Sequence, residues 1–150
     1  TIEGALVVAE TGHRVFSTLH TNSAVQTINR VIDVFPPHQQ AQVRAQLSLV
    51  LQAVISQQLI ARKDGRGRVM ACEVMIPNAA IRNLIREEKI HQVYSQMQVG
   101  QSKFGMQTMS QSLVGLVQKN LISADDALGH ATEMEEIRQM LGQARVGKAS

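Results

Sequence analysis

Apolar residues recur every three or four positions along much of this chain, which is the period of one helix face. The pattern predicts helices at about residues 2–9, 23–34, 37–58, 90–98 and 106–117. The segment 37–58 is the longest of these, and Pro37 suits the first turn of a helix. Its apolar positions are Val43, Leu47, Val50, Leu51, Val54 and Ile55. We expect this helix to cover a large part of the core.

The stretch 15–19 has the composition of a strand, and it lies between Gly12, a common residue just past a helix, and Ser23, a good helix N-cap. His20 and Thr21 therefore follow a predicted strand where the next helix begins. Ligands of open α/β sheets bind at the carboxyl ends of strands, and helix N-termini favour anions. Both residues are candidates for contact with an anionic ligand. The pattern also fits a loop histidine that is capped by its neighbours.

His13 is not expected to share a metal ion with His20. An extended chain rises about 3.3 Å per residue, so the two histidines lie roughly 20 Å apart at opposite ends of the predicted strand. The single cysteine, Cys72, excludes a disulfide framework and a cysteine zinc site within the chain. We expect Cys72 in the core and no metal site.

A β-hairpin is predicted further along the chain. Residues 59–62 and 68–76 have the composition of strands, and they flank a glycine-rich turn at 63–67. The glycines of this turn are too few, and in the wrong context, for a phosphate-binding loop.

A helix is predicted after the hairpin, with Asn78 as its N-cap. Its buried side would consist of Ile81, Leu84 and Ile85. Arg82 and Arg86 stand four residues apart on another face, together with Asn83 and Glu87. This polar face either binds a neighbour or an anion, or is an ordinary solvated helix face.

Composition sets broad limits. The chain has 150 residues, 44% of them hydrophobic and 18% charged, with a net charge of +3. This is enough for a domain with a real core. The charge is only mildly basic, and no block of lysine and arginine or aromatic platform accompanies it, so no nucleic-acid partner is indicated. No stretch is long enough for a membrane span, so no direct membrane insertion is expected.

Two stretches resemble a known family. Residues 10–21, from Glu10-Thr11-Gly12-His13 through Thr18-Leu19-His20-Thr21, resemble the histidine box of secretion ATPases of the type II and type IV systems. Residues 80–87 read AIRNLIRE and match, letter for letter, a motif of type IV pilus retraction ATPases. Residues 32–36 and 51–57 are also similar to that family, and the resemblance covers about residues 1–130.

The resemblance implies an α/β fold: the C-terminal part of a RecA-like P-loop ATPase core, followed by a mostly helical C-terminal subdomain. The core part would cover residues 1–76, including the histidine box, the long helix and the hairpin. The helical subdomain would cover 77–141 with the AIRNLIRE motif, and 142–150 would be a disordered tail.

The resemblance also implies a function. Members form a cytoplasmic homohexamer that hydrolyses ATP to remove pilin from the fibre base, which powers pilus retraction and twitching motility. Such a motor would lie peripherally at the inner-membrane base of the pilus and contact a platform protein in that membrane.

Site residues follow by position in the two motifs. His20 would sense the γ-phosphate, and His13 would make a contact within or between subunits. Thr18, Thr21 and Glu10 would belong to the nucleotide-sensing set. The retraction motif, outside the catalytic pocket, would consist of Ala80, Ile81, Arg82, Asn83, Leu84, Ile85, Arg86 and Glu87.

One part of the family pattern is absent from these 150 residues. No G-x-x-x-x-G-K-S/T loop occurs, and no apolar strand ends in an acid that could organise Mg²⁺. ATP and Mg²⁺ would therefore be bound mainly by upstream segments, and the chain alone is expected to be inactive. The chain begins at Thr1 inside a helical pattern, so we expect it to be the C-terminal part of a longer protein.

Other functions stay open at this point. An extension ATPase or a type II secretion ATPase would carry the same histidine box. Type II secretion relatives have a tetracysteine module, and the presence of Cys72 alone favours the retraction branch. A non-catalytic oligomerisation or interaction module would fit the missing phosphate loop.

Overall fold

A computed structural model describes residues 2–146, with the side chains of 102 and 144–146 left out. The helices before the hairpin are α1 (Ile2–Glu10), α2 (Ala24–Asp33) and α3 (Pro37–Val50). The strands are β1 (Val54–Ala61) and β2 (Arg68–Met75). The later helices are α4 (Ala79–Arg86), α5 (Val93–Val99), α6 (Gln101–Phe104), α7 (Met109–Gln118), α8 (Ala124–Gly129) and α9 (Met134–Val146), with a 3₁₀ turn at Ile90–Gln92 before α5.

The predicted hairpin is confirmed. Strands β1 and β2 pair in a two-stranded sheet, and the turn between them contains Gly65 and Gly67 at positive φ, a conformation that glycine adopts readily. The Asp64 carboxylate accepts a hydrogen bond from the backbone N–H of Arg66, which fixes the turn.

The predicted long helix 37–58 is wrong in its second half. Helix α3 ends at Val50, and β1 begins at Val54. Val54 is buried and Ile55 is 66% exposed, so the two residues lie on opposite faces of a strand rather than on one helix stripe. Both are β-branched, which favours strand over helix.

The predicted strand at 15–19 is not formed within the described part of the chain. Residues 13–19 have no regular secondary structure, and Phe16 is 92% exposed. A strand is stable only when a neighbour accepts its backbone hydrogen bonds. Within residues 2–146, β1 and β2 are the strands that pair, and they pair with each other.

The chain divides into two compact units. Among the described residues, the first consists of 2–56 and 74–106, and the second of 57–73 and 107–146. The core of the first unit includes Leu6, Ala24, Ile28, Val43, Leu47, Met75, Ile81, Ile85, Val93 and Met97. The core of the second includes Ile60, Ala71, Leu113, Val114, Ile122, Ala127 and Ile137.

These units follow different limits from the predicted domains 1–76 and 77–141, because residues 74–106 pack with the N-terminal helices. The assignment of those domains to an ATPase core and a helical subdomain stays a prediction. In the predicted tail, residues 142–146 belong to α9 instead, and 147–150 lie outside the described residues. The short helix α6 lies between the predicted helices 90–98 and 106–117.

Two expectations from composition can be compared with the structure. Across residues 2–146, no helix combines the length and the apolar character needed to cross a bilayer. Cys72 is half-buried rather than part of the core, and burial raises the pKa of its thiol.

Candidate functional site

The histidine box (residues 10–21) starts at the end of α1. Gly12 follows the helix at φ +88°, as the sequence predicts for a helix C-terminus. The Thr11 hydroxyl donates to the backbone carbonyl of Val8 at 2.7 Å and lies 2.9 Å from Nδ1 of His13. These contacts hold the exposed His13 ring close to the end of α1.

The last residue of α1 contacts α3. A carboxylate oxygen of Glu10 accepts a hydrogen bond from Nε2 of Gln46 at 3.2 Å. The sequence offered no signal for this pair, because the two residues are 36 positions apart and meet only when α1 packs on α3.

The other end of the box leads into α2. Ser23 is the N-cap, since its side chain accepts from the backbone N–H of Gln26. The hydroxyl oxygens of Thr21 and Thr27 lie 2.7 Å apart, and the Thr27 hydroxyl also donates to the carbonyl of Ser23. His20 is exposed just before this capped helix start.

The box residues therefore make separate contacts. Glu10 contacts α3, His13 contacts Thr11, and Thr21 contacts α2, while Thr18 and His20 are exposed. The hydrogen bonds described for residues 10–21 do not join the two histidines. Within residues 2–146, no three residues among His, Cys, Asp and Glu are grouped so that they could hold a metal ion.

The AIRNLIRE motif lies on α4, which we call the motif helix (Ala79–Arg86), and its last residue, Glu87, is the C-cap of this helix. Asn78 caps it as predicted, with its Oδ1 accepting from the N–H of Ile81 at 2.9 Å. Ile81 and Ile85 are completely buried, and Leu84 packs partly against the same core. The apolar residues of the motif therefore fix the helix in the first unit.

Arg82 is not an ordinary solvated side chain. Its Nη1 donates to the carbonyl of Ser48 at 2.6 Å and to that of Leu49 at 3.0 Å. These carbonyls belong to the last turn of α3. The carbonyls of a last turn have no backbone N–H partners within their own helix. Arg82 therefore caps the C-terminus of α3 from a neighbouring helix.

The remaining polar residues of the motif form an exposed network. Arg86 donates to Oδ1 of Asn83 at 2.7 Å, and the Asn83 amide donates to Glu87 at 3.0 Å. Glu87 pairs with Lys89 at 2.8 Å, and that hydrogen bond is the main cause that lowers the pKa of its carboxyl group. Arg86 is exposed, which fits both a solvated helix face and a surface for a partner.

The end of the motif helix is tied to α3 by an ion pair. Glu88 adopts φ +62°, and the N–H groups of Glu88 and Lys89 reach back to the carbonyls of Ile85 and Leu84. The Glu88 carboxylate lies 3.0 Å from Nη2 of Arg44, whose side chain is only 12% exposed. Sequence reasoning missed Arg44, since its spacing resembles that of any exposed helix position.

The family model described as Type II/IV secretion system protein matches residues 1–138. The type IV pilus retraction ATPase PilT of Pseudomonas aeruginosa is 59% identical over 127 residues, which cover 85% of this chain and 36% of that protein. A twitching motility protein of Neisseria gonorrhoeae is 51% identical over 137 residues, or 91% of this chain and 36% of that protein. The chain thus spans about a third of the length of these relatives.

The fold is also similar to a solved relative. A crystal structure of the pilus retraction motor PilT with bound ADP matches with a TM-score of 0.82 and 51% identity, over 92% of this chain and 38% of that one. The match confirms the expected α/β fold, that of part of a RecA-like ATPase. The chain belongs to the type II/IV secretion system protein family.

Proposed function

We propose that this chain is part of a pilus retraction ATPase, which hydrolyses ATP to power retraction and twitching motility. The observation that carries the proposal is the complete AIRNLIRE motif on α4 and its C-cap residue Glu87, buried on its apolar side and hydrogen-bonded on its exposed side. The 59% identity to a retraction ATPase and the 51% identity to a twitching motility protein support it.

The histidine box is proposed to sense the nucleotide. His20 is exposed at the start of α2, where the positive end of the helix dipole favours a phosphate group. The bond from Thr21 to Thr27 holds the backbone next to it, and His13, Thr18 and Glu10 complete the set. ADP bound to a similar motor agrees with a nucleotide ligand.

Mg²⁺ is proposed to be held by residues outside this chain. Its preferred ligands are carboxylates together with phosphate oxygens, and the described residues contain no suitable cluster of acids. When bound, the ion would neutralise charge on the phosphates. We therefore propose that these 150 residues alone do not hydrolyse ATP, since they also lack a phosphate loop.

The assembly is proposed to be a cytoplasmic homohexamer at the inner-membrane base of the pilus. The exposed network of Asn83, Arg86, Glu87 and Lys89 offers alternating charges to a partner, and the platform protein of the pilus machine is the proposed partner.

Replacing His20 tests the catalytic part of this proposal. In the complete protein, His20→Ala is expected to lower ATP turnover by about tenfold or more, because a group that contacts the reacting phosphate is lost. The matched control is His38→Ala, which removes an exposed histidine from the first turn of α3. Equal turnover in the wild type and both variants would contradict a role for His20.

The alternatives predict different phenotypes. If the complete protein powers retraction, its loss is expected to leave cells that bear pili but do not twitch, whereas loss of a motor that extends pili is expected to leave cells without them. A secretion ATPase would affect export of protein instead. A non-catalytic module would leave ATP turnover absent in every form of the protein.

A further inference from the structure

Helix α3 makes two hydrogen-bonded links close to its C-terminus. Gln46 contacts Glu10, the first residue of the histidine box, and the carbonyls of Ser48 and Leu49 accept from Arg82 on the motif helix. Positions 46, 48 and 49 lie within about one helical turn of each other. One short part of α3 therefore touches both motifs of the chain.

The three helices also share one core. Leu6 of α1, Val43 and Leu47 of α3, and Ile81 and Ile85 of α4 belong to a single buried cluster. Packing of this kind is as dense as an organic crystal, so a displacement of one helix is passed to its neighbours rather than absorbed. The hydrogen bonds of Gln46 and Arg82 therefore connect helices that already pack against each other in this core.

The two arginines of the motif have different surroundings. Arg82 donates to a neighbouring helix, whereas the bonds described for Arg86 reach Asn83 on its own helix. Bonds from a charged donor are shorter and stronger than neutral ones. Of the two arginines, Arg82 is therefore the one whose described hydrogen bonds hold α4 against α3.

We propose that the C-terminal part of α3 couples the histidine box to the motif helix, with Arg82 as a positioning residue. The coupling rests on the proposed nucleotide role of the box. Nucleotide binding changes the box at Glu10, Gln46 passes the change to α3, and Arg82 passes it to α4. The retraction motif thereby responds to a nucleotide that it does not touch.

Hydrogen exchange in the complete protein, with and without ADP, measures this coupling at residues 79–89. In the wild type, ADP is expected to change the exchange rate of these amides by about fivefold or more, the lower end of typical coupling between two sites. Arg82→Ala and Gln46→Ala are expected to abolish the change. Arg86→Ala and Gln42→Ala, on the same two helices, are the matched controls that keep it.

A conservative variant of Arg82 distinguishes a positioning role from a general loss of structure. Arg82→Lys keeps a charged donor that can reach one of the carbonyls, so part of the ADP response is expected to return. If Arg82→Ala fails to fold, Gln46→Ala still tests the coupling, because Gln46 is partly exposed and its replacement removes no buried side chain. A retained response in either alanine variant overturns the coupling, as does a wild type that binds ADP without any change at 79–89. A wild type that binds no ADP overturns the proposed function itself.

Discussion

Arg82 and Arg86 have the same chemistry and stand one turn apart, yet their surroundings differ. Spacing along the helix places both off the buried stripe, which is correct for their side-chain direction. It does not reveal that the end of α3 lies within reach of Arg82. Arg82 is therefore bonded to another helix through a contact 33 and 34 residues away, whereas Arg86 is exposed, and its role as a partner contact stays a prediction.

A second residue-scale feature depends on pH. The Arg62 guanidinium donates to the Asp64 carboxylate at 2.7 and 3.1 Å and, with the N–H of Arg66, lowers the pKa of Asp64 to about 2. A carboxyl group whose pKa is lowered in the folded state stabilises that state at pH values above the pKa of the unfolded state, about 3.9. That contribution is lost as the pH falls from about 4 towards 2.

NMR titration of the Asp64 carboxyl carbon checks this. The wild type is expected to titrate near the lowered value. Arg62→Ala should return the pKa towards its ordinary value, whereas Arg68→Ala, which removes an exposed arginine at the start of β2, should not. A wild-type midpoint near the ordinary value would show that the Arg62–Asp64 contact is absent in solution.

Local signals account for the elements that the sequence predicted correctly. The hairpin turn follows from glycines at positive φ, and the caps at Ser23 and Asn78 need only a side-chain oxygen near the first N–H groups of a helix. Each of these interactions involves residues within about four positions of each other, so it can be predicted without knowledge of the rest of the fold.

The boundary between α3 and β1 depends on distant residues instead. Leu51, Val54 and Ile55 continue a helical stripe, and over so short a window the same residues fit a strand. Pairing with β2 selects the strand, and Arg82 supplies the donors that end α3. Neither partner can be identified from the local pattern.

The segment 15–19 is expected to form a strand only when neighbouring strands are present. Within residues 2–146 they have no strand partner, although their composition favours a strand. If the complete protein supplies the rest of a RecA-like sheet, the amides of 15–19 are expected to exchange at least about tenfold more slowly there than in this chain alone.

The amides of 69–73 are the internal control, because β2 is paired with β1 in this chain already. Their exchange is expected to be similar in both proteins. Equally rapid exchange of 15–19 in both would contradict the assignment of this segment to a sheet.

Across the molecule, only part of the candidate site has a signal in the sequence. The histidine box and the AIRNLIRE motif are recognisable as sequence motifs, and the family match covers both. Gln46 and Arg44, which connect α3 to Glu10 and Glu88, carry no such signal. Their roles arise from packing of helices that are distant in sequence.

We propose that these residues belong to a motor ATPase and that its phosphate-binding residues lie outside the 150 residues. ATP hydrolysis should be measured for this chain beside the same chain extended to the native start of the complete protein. Turnover is expected in the extended protein and none in the 150-residue chain, which has no phosphate loop. Absence of turnover in both, or equal turnover in both, would contradict it.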